Sequence, residues 1–327
     1  MDDLNGLMSL LSQKELRKDE QEKAREEERD IREAEQKKKD ADQDAQIALI
    51  AQLLGAMATR NQPTELHTPV TRPTTPGQIR VNQEALEMIL DIPELDIQDM
   101  RQIEAEASKM DPDQRAQAED IVKTQQFKGW VISPTSSKLL VHGNFSGLPI
   151  YSSALSLFCI SLTTHIRDRE RFYSLVFFCG LHLHQSENSE ESHVGGRAMI
   201  KSLIAQLLRQ YEFNTRSMPG GILPLTEINE LCALFGWLVG QLPPNITLVC
   251  FIDGIEYYER DEYLQEMEEV LAYVLELIIE SKIAVDFKVM VTSPGRTRIV
   301  RQPFEIRNDG NEILSLVPGS DKWGDIE

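Results

Sequence analysis

A chain of 327 residues with 41% apolar content can fill one full-size hydrophobic core and a smaller appendage, which excludes a wholly disordered protein. With 53 acidic against 34 basic residues the net charge is -19, so nucleic acid and anionic lipid are repelled, and no basic stripe in the globular part offsets this. No stretch reaches the roughly 20 apolar residues of a membrane span, and Met1-Asp2-Asp3-Leu4 carries acid where a leader peptide carries lysine or arginine; a cytoplasmic protein with no membrane and no nucleic-acid partner is expected.

Residues 12–44 are nearly all Glu, Lys, Arg, Asp, Gln and Ala, with opposite charges at helical spacing: Asp19 with Lys23, Glu28 with Arg32, Glu33 with Lys37, Glu35 with Lys39. A coiled coil needs apolar residues at a and d through several heptads, and only Leu16, Ala24, Ile31, Ala34 and Ala41 are present. The reading is a single exposed helix or a partly disordered arm. It is flanked by two amphipathic patches, Leu4-Leu7-Met8-Leu11 and Ile47-Ile50-Leu53-Leu54-Met57, suited to docking on a partner or on the body of the protein. Residues 61–80, rich in Pro and Thr, form an extended linker.

Residues 81–128 have helical periodicity, first through Ala85, Met88, Ile89 and Leu90, then, after a break at Pro93, over 113–126 behind the helix-start pair Asp111-Pro112. The division expected is 1–60 charged arm, 61–80 linker, 81–128 helical lead-in and 129–327 globular body, without internal repeats.

From Lys138 onward, apolar β-branched runs alternate with longer helical stretches. Residues 138–142, 173–179, 246–252, 287–292 and 313–317 read as five strands, and 152–166, 198–211, 226–241 and 263–280 as the covering helices. Leu248-Val249-Cys250-Phe251-Ile252 is apolar on both faces, the pattern of a strand with helices on either side of a parallel sheet. The fold class expected is therefore α/β, a five-stranded parallel sheet with flanking helices behind a long charged helical arm.

Asp253 ends the third strand and is followed by Gly254-Ile255-Glu256. An acid there is either ordinary turn chemistry or the Mg²⁺-holding carboxylate of a P-loop NTPase. Gly143 closes the first strand and Thr292-Ser293-Pro294-Gly295-Arg296 the fourth. Together with Phe177-Phe178-Cys179-Gly180-Leu181-His182, the run from Gly196-Arg197-Ala198 to Gln206-Leu207-Leu208, Phe251-Ile252-Asp253-Gly254-Ile255-Glu256 and Phe287-Lys288-Val289-Met290-Val291-Thr292-Ser293-Pro294, these features give residues 130–318 their likeness. That segment resembles the NACHT-like, STAND-class P-loop NTPase domain of many fungal proteins, related to the nephrocystin-3-like N-terminal domain.

The resemblance implies a P-loop NTPase-like fold with a phosphate loop after Gly143, of the form GxxxxGK[ST]. Here Gly147 comes one place early, Leu148 stands at the second glycine, Pro149 at the lysine and Ile150 at the hydroxyl, so the loop is degenerate. Asp253 matches the Mg²⁺ carboxylate, Glu256 an acidic position of the same element, Tyr257 replaces a further acid, and Ser293 and Arg296 lie near the sensor strand end. A vestigial nucleotide site of Gly143, Gly147, Asp253, Glu256 and Ser293 follows, with Asp253 binding Mg²⁺ only if nucleotide binds. The function implied is a catalytically inactive or weak P-loop NTPase-like scaffold without cofactor that meets protein partners through its N-terminal arm. The alternative is a Mg·ATP or Mg·GTP switch in which Lys138 or Arg296 reaches the phosphates, or anions gather at the helix start near Ser152 and Ser153. Because the sequence stops at Glu327, soon after the fifth strand, the winged-helix and repeat domains of a complete switch are not expected.

The remaining candidates read as structural. Cys159, Cys179, Cys232 and Cys250 sit in apolar runs as buried thiols; His182, His184 and His193 belong to an acidic surface loop; Glu259, Arg260, Asp261 and Glu262 form a solvated helix start; Trp130, Trp237 and Trp323 pack.

Overall fold

The computed structural model describes residues 82–145, 151–183, 193–215, 218–219, 225–279, 283–305 and 312–316. The arm, the linker, Gly147 to Ile150, His184 and Trp323 lie outside the described residues. Five parallel strands form the sheet: β1 (Ser137–His142), β2 (Phe172–Phe178), β3 (Thr247–Asp253), β4 (Asp286–Ser293) and β5 (Ile313–Ser315), in the order β5-β1-β4-β3-β2. The register sets His142 opposite Ser293 and Phe178 opposite Asp253, which brings the carboxyl ends of the strands to one edge.

Among the described residues four α-helices precede β1: α1 (Gln83–Leu90), α2 (Leu95–Glu106), α3 (Pro112–Glu119) and α4 (Gln125–Ile132). The crossovers are α5 (Ala154–Arg167) after β1, α6 (Gly195–Gln210) and α7 (Ile228–Val239) after β2, and α8 (Leu264–Ile279) after β3; the short α9 (Gln302–Glu305) precedes β5. Alternation along β3 divides the core. Leu248, Cys250 and Ile252 join the cluster built with α6, α7 and α8. Phe251 and Asp253 face the other layer, where Trp130 of α4 lies 6.5 Å from the Phe251 ring and Ser156 of α5 bonds Asp253.

The lead-in helices are part of this core, because Leu86, Leu90 and Leu95 are buried in the same cluster as the sheet. α1 stops at Asp91, whose left-handed backbone (φ 44) ends the helix while Lys201 Nζ donates to the Leu90 carbonyl at 2.9 Å. Periodicity anticipates one helix over 113–126; two short ones form, because the Thr124 hydroxyl accepts from the Phe127 amide and starts α4.

α2 lies inside the helical stretch expected over 81–128 but is not anticipated as a helix of its own, for a physical reason. Its inner face carries Asp96 and Asp99, 2% and 5% exposed, which a hydrophobic pattern assigns to solvent. Asp96 accepts from Arg167 Nη2 at 2.7 Å and from Arg209 Nη2 at 2.5 Å, tying α2 to α5 and α6. Lys288 is a second charge inside: its Nζ donates to the carbonyls of Ser133 and Thr135 beyond α4 and to the Ser137 hydroxyl, and burial lowers its pKa to about 8.

Replacing Asp96 with alanine removes two charge-assisted hydrogen bonds and leaves two guanidinium groups facing each other. Asp96→Ala is therefore expected to lower the unfolding free energy by about 3 kcal/mol in urea titration, and a loss below roughly 1 kcal/mol would show the network to be dispensable.

Candidate functional site

In open parallel sheets, ligands bind outside the carboxyl ends of the strands. At that edge Asp253 is the last residue of β3 and is 3% exposed. Its Oδ2 accepts from the Ser156 hydroxyl at 2.6 Å and its Oδ1 from the Thr292 hydroxyl at 2.5 Å. Burial is the largest influence on the acid and lifts its pKa to about 6, the two hydroxyls oppose the rise, and the Glu256 charge adds to it.

The start of α5 is closed in the same manner. Ser153 caps the helix in a reciprocal box with Ser156: the Ser153 amide donates to Ser156 Oγ at 2.8 Å and the Leu155 amide to Ser153 Oγ at 3.1 Å. The Ser156 hydroxyl thus accepts from the cap and donates to Asp253. Both Ser153 and Ser156 are buried. The helix begins at Ala154, well past Pro149 and Ile150, and its first residues, Ala154-Leu155-Ser156-Leu157, include no cation.

The chain leaving β1 stays along β4. The Gly143 amide donates to the Ser293 carbonyl at 2.8 Å and the Phe145 amide to the Pro294 carbonyl at 3.0 Å. A Cβ on Gly143 would stand 2.9 Å from the Phe145 ring, so the glycine makes room for an aromatic side chain. Tyr151 then passes so close to Gly180 that a Cβ there would lie 2.0 Å from the Tyr151 carbonyl oxygen. Tyr257 packs on the same glycine and is buried, its hydroxyl pushed up by burial and by the Glu256 and Asp253 charges.

Glu256, on the turn Ile255–Tyr258, accepts through Oε2 from the Ser293 hydroxyl and from the Gly295 amide. Its Oε1 is buried without a hydrogen-bond partner. Glu259, expected to be solvated, instead accepts from the amides of Arg298, Ile299 and Val300, filling an anion-binding concavity with the protein's own carboxylate.

Of the residues singled out in the sequence, Gly143, Asp253, Glu256 and Ser293 meet at this edge, and Gly147 is outside the described residues. Lys138 does not meet them. It stands near the amino end of β1, about 13 Å from His142 at roughly 3.3 Å per residue. Its Nζ donates to the Pro303 carbonyl at 2.7 Å and pairs with Glu312 at 3.4 Å, so it cannot serve a phosphate at the carboxyl edge. Arg296 is at the correct edge, with Nε donating to Asn144 Oδ1 at 3.0 Å.

The histidine reading needs correction. His182 is 7% exposed, with its Nε2 2.7 Å from Asp99 Oδ2 and its ring stacked on Phe177. A buried acid on the unanticipated helix α2 draws it inside. Cys159, Cys179, Cys232 and Cys250 are free and buried, and Trp130 packs as expected. No cluster of three metal-ligating side chains occurs among the described residues. No described helix is long and apolar enough to cross a membrane. No family model, curated protein or solved structure matches the chain.

Ser156 and Thr292 are the site residues that sequence reasoning missed. Their signal was a hydroxyl inside an otherwise apolar helix start and strand end.

The raised pKa of Asp253 has a definite sign in stability. The folded chain keeps the Asp253 proton to about pH 6 and the unfolded chain only to about pH 4, so stability contributed by this group falls as pH rises through that window and is level above it. Urea unfolding at pH 4 and pH 7 is expected to show wild type gaining on the order of 3 kcal/mol relative to Asp253→Asn at the lower pH. An equal difference at both pH values would refute the assignment.

Proposed function

We propose that the chain is a P-loop-like domain of the NACHT and STAND kind that has lost its hold on phosphate and acts as a non-catalytic scaffold through protein contacts. The observation that carries this reading is the engagement of both Asp253 oxygens and of the α5 cap by the protein's own groups. A P-loop enzyme directs a lysine and a hydroxyl at its first crossover helix toward phosphate and Mg²⁺, with a strand-end carboxylate behind them. Asp253 and α5 stand in the corresponding places, and the insertion of β4 between β1 and β3 is compatible with a P-loop-like core. The first turn of α5 nevertheless lacks a cation, its cap is closed by Ser153 and Ser156, and both Asp253 oxygens are engaged.

Losing the lysine and freeing no hydroxyl forfeits several kcal/mol, at roughly 1.5–3 kcal/mol per charged hydrogen bond. That is enough to remove micromolar affinity. Asp253, Glu256 and Ser293 then serve the fold, and Asp253 holds no metal. Under this reading partners are met through residues 1–60, which lie outside the described residues and whose charge-dense sequence offers contacts without a core of its own.

A second reading, a nucleotide switch with an unconventional cation, is favoured by one observation: the exposed Arg296 beside Asn144 at the end of β1. Calorimetric titration with Mg·ATP and with Mg·GTP separates the two. The scaffold reading predicts no binding tighter than about 100 μM, or about -5.5 kcal/mol. Tighter binding that disappears in Asp253→Ala and in Arg296→Ala would establish the switch instead.

A further inference from the structure

Two glutamates three residues apart hold the loop that leaves β4. Glu256 takes the Ser293 hydroxyl and the Gly295 amide at the start of the loop, and Glu259 takes the turn that follows. Glu259 Oε1 accepts from the amides of Arg298 at 3.0 Å, Ile299 at 2.8 Å and Val300 at 2.8 Å, and its Oε2 accepts from Arg298 at 2.9 Å. Three successive amides aimed at one oxygen make a backbone concavity suited to an anion. This is not a helix end: α9 begins at Gln302, and the amides of Gln302 and Phe304 are bonded to the carbonyls of Ile299 and Arg301.

The positive charge around this turn exceeds what one carboxylate needs. In a chain of net charge -19, Arg296, Arg298 and Arg301 fall within one short loop and all three are exposed. Arg301 Nε pairs with Glu305 at 2.5 Å, and Arg296 Nε donates to the neutral Asn144 Oδ1 at 3.0 Å. The Arg298 side chain has no hydrogen bond or ion pair among the described residues. His142, at the end of β1, registers the same field, with its Nε2 2.9 Å from Thr297 Oγ1 in the middle of the loop. Its pKa is lowered to about 4, first by burial and then by the Arg301 and Arg296 charges, and Glu259 is the acid that opposes them.

Glu259 stands as counter-charge and plug at once. It is mounted on the link between β3 and α8: its amide donates to the Glu256 carbonyl at 3.1 Å, and the carbonyl of the next residue, Arg260, accepts from the Leu264 amide at 2.9 Å. A carboxylate tethered this closely competes for the amides at an effective concentration of about a millimolar or above, which shuts out free anions below that level.

We infer that residues 296–301 form an anion-binding loop for a phosphate or carboxylate group, and that Glu259 occupies it as an internal ligand and keeps it closed. Without the Glu259 carboxylate, a small oxyanion is held by the amides of residues 298–300 with the Arg298 side chain beside it. Neither Asp253 nor the start of α5 takes part, so the loop is closed independently of the nucleotide reading.

The experiment compares the full wild-type chain with Glu259→Ala, with inorganic phosphate and acetate as probes at constant ionic strength. The readouts are the amide resonances of Arg298, Ile299 and Val300 and the melting temperature. In Glu259→Ala at least one of the two anions is expected to move the three resonances at a concentration roughly ten-fold or more below that needed in wild type, and to raise the melting temperature more than it does for wild type. Tighter binding of phosphate assigns the loop to phosphate groups, and tighter binding of acetate assigns it to acidic side chains. An equal response in the two chains, or resonances of Glu259→Ala that neither anion moves, would overturn the inference. Should Glu259→Ala not fold in chloride alone, recovery of a cooperative melt with acetate or phosphate supports the inference, and no recovery with either overturns it. Binding of Mg·ATP by the wild-type chain in the calorimetric titration would refute the scaffold reading while leaving this result unchanged.

Discussion

The carboxyl edge of the sheet depends on one buried acid. A carboxylate at the end of a fully covered strand is costly unless something donates to it, and the Asp253 oxygens are met by hydroxyls from two different elements, Ser156 on α5 and Thr292 on β4. That pair of contacts fixes where α5 begins, because Ser156 is also half of the helix cap. It further fixes how β4 exits, because Thr292 precedes Ser293, whose hydroxyl goes to Glu256. The hydroxyls of Ser156, Thr292 and Ser293 are thereby committed to protein carboxylates, and the same economy of partners appears at Glu259 with its three amides.

A second group of buried charges explains why the lead-in helices belong to the body. Asp96 links α2 to Arg167 and Arg209, Asp99 links it to His182, and Gln83 Nε2 donates to the Leu208 carbonyl at the end of α6. Apolar contacts through Leu86, Leu90 and Leu95 supply burial, and the polar contacts fix the register of these helices against the sheet. Asp99 is raised by burial, with the His182 hydrogen bond opposing the rise, as expected for an acid whose partner only partly offsets its desolvation.

Much of this was legible before the structure. The five strands lie within a residue or two of the apolar runs, since a parallel strand covered on both faces has to be apolar throughout, and the four long crossover helices follow from periodicity. α2 was not legible as a separate helix, because two of its four buried residues are aspartates, Asp96 with partners 71 and 113 residues away in the chain. His182 was hidden for the same reason. Asp253, Glu256 and Ser293 could be located by their places after β3 and at the end of β4, whereas the partners of Asp253, Ser156 and Thr292, depend on how α5 and β4 meet in space. The start of α5 was legible to within two residues, 152 expected against Ala154, whereas the path before it, along β4 through Phe145 and past Gly180 at Tyr151, was not.

The claim that the edge is closed upon itself is tested most directly by amide hydrogen exchange of Gly143, Leu155, Ser156 and Gly295 with and without millimolar Mg·ATP. These amides already have acceptors or lie within the cap, so the account predicts exchange rates unchanged by nucleotide. Protection of Leu155 and Ser156 on adding Mg·ATP, absent with ATP in EDTA, would contradict it and show that the helix start still receives phosphate.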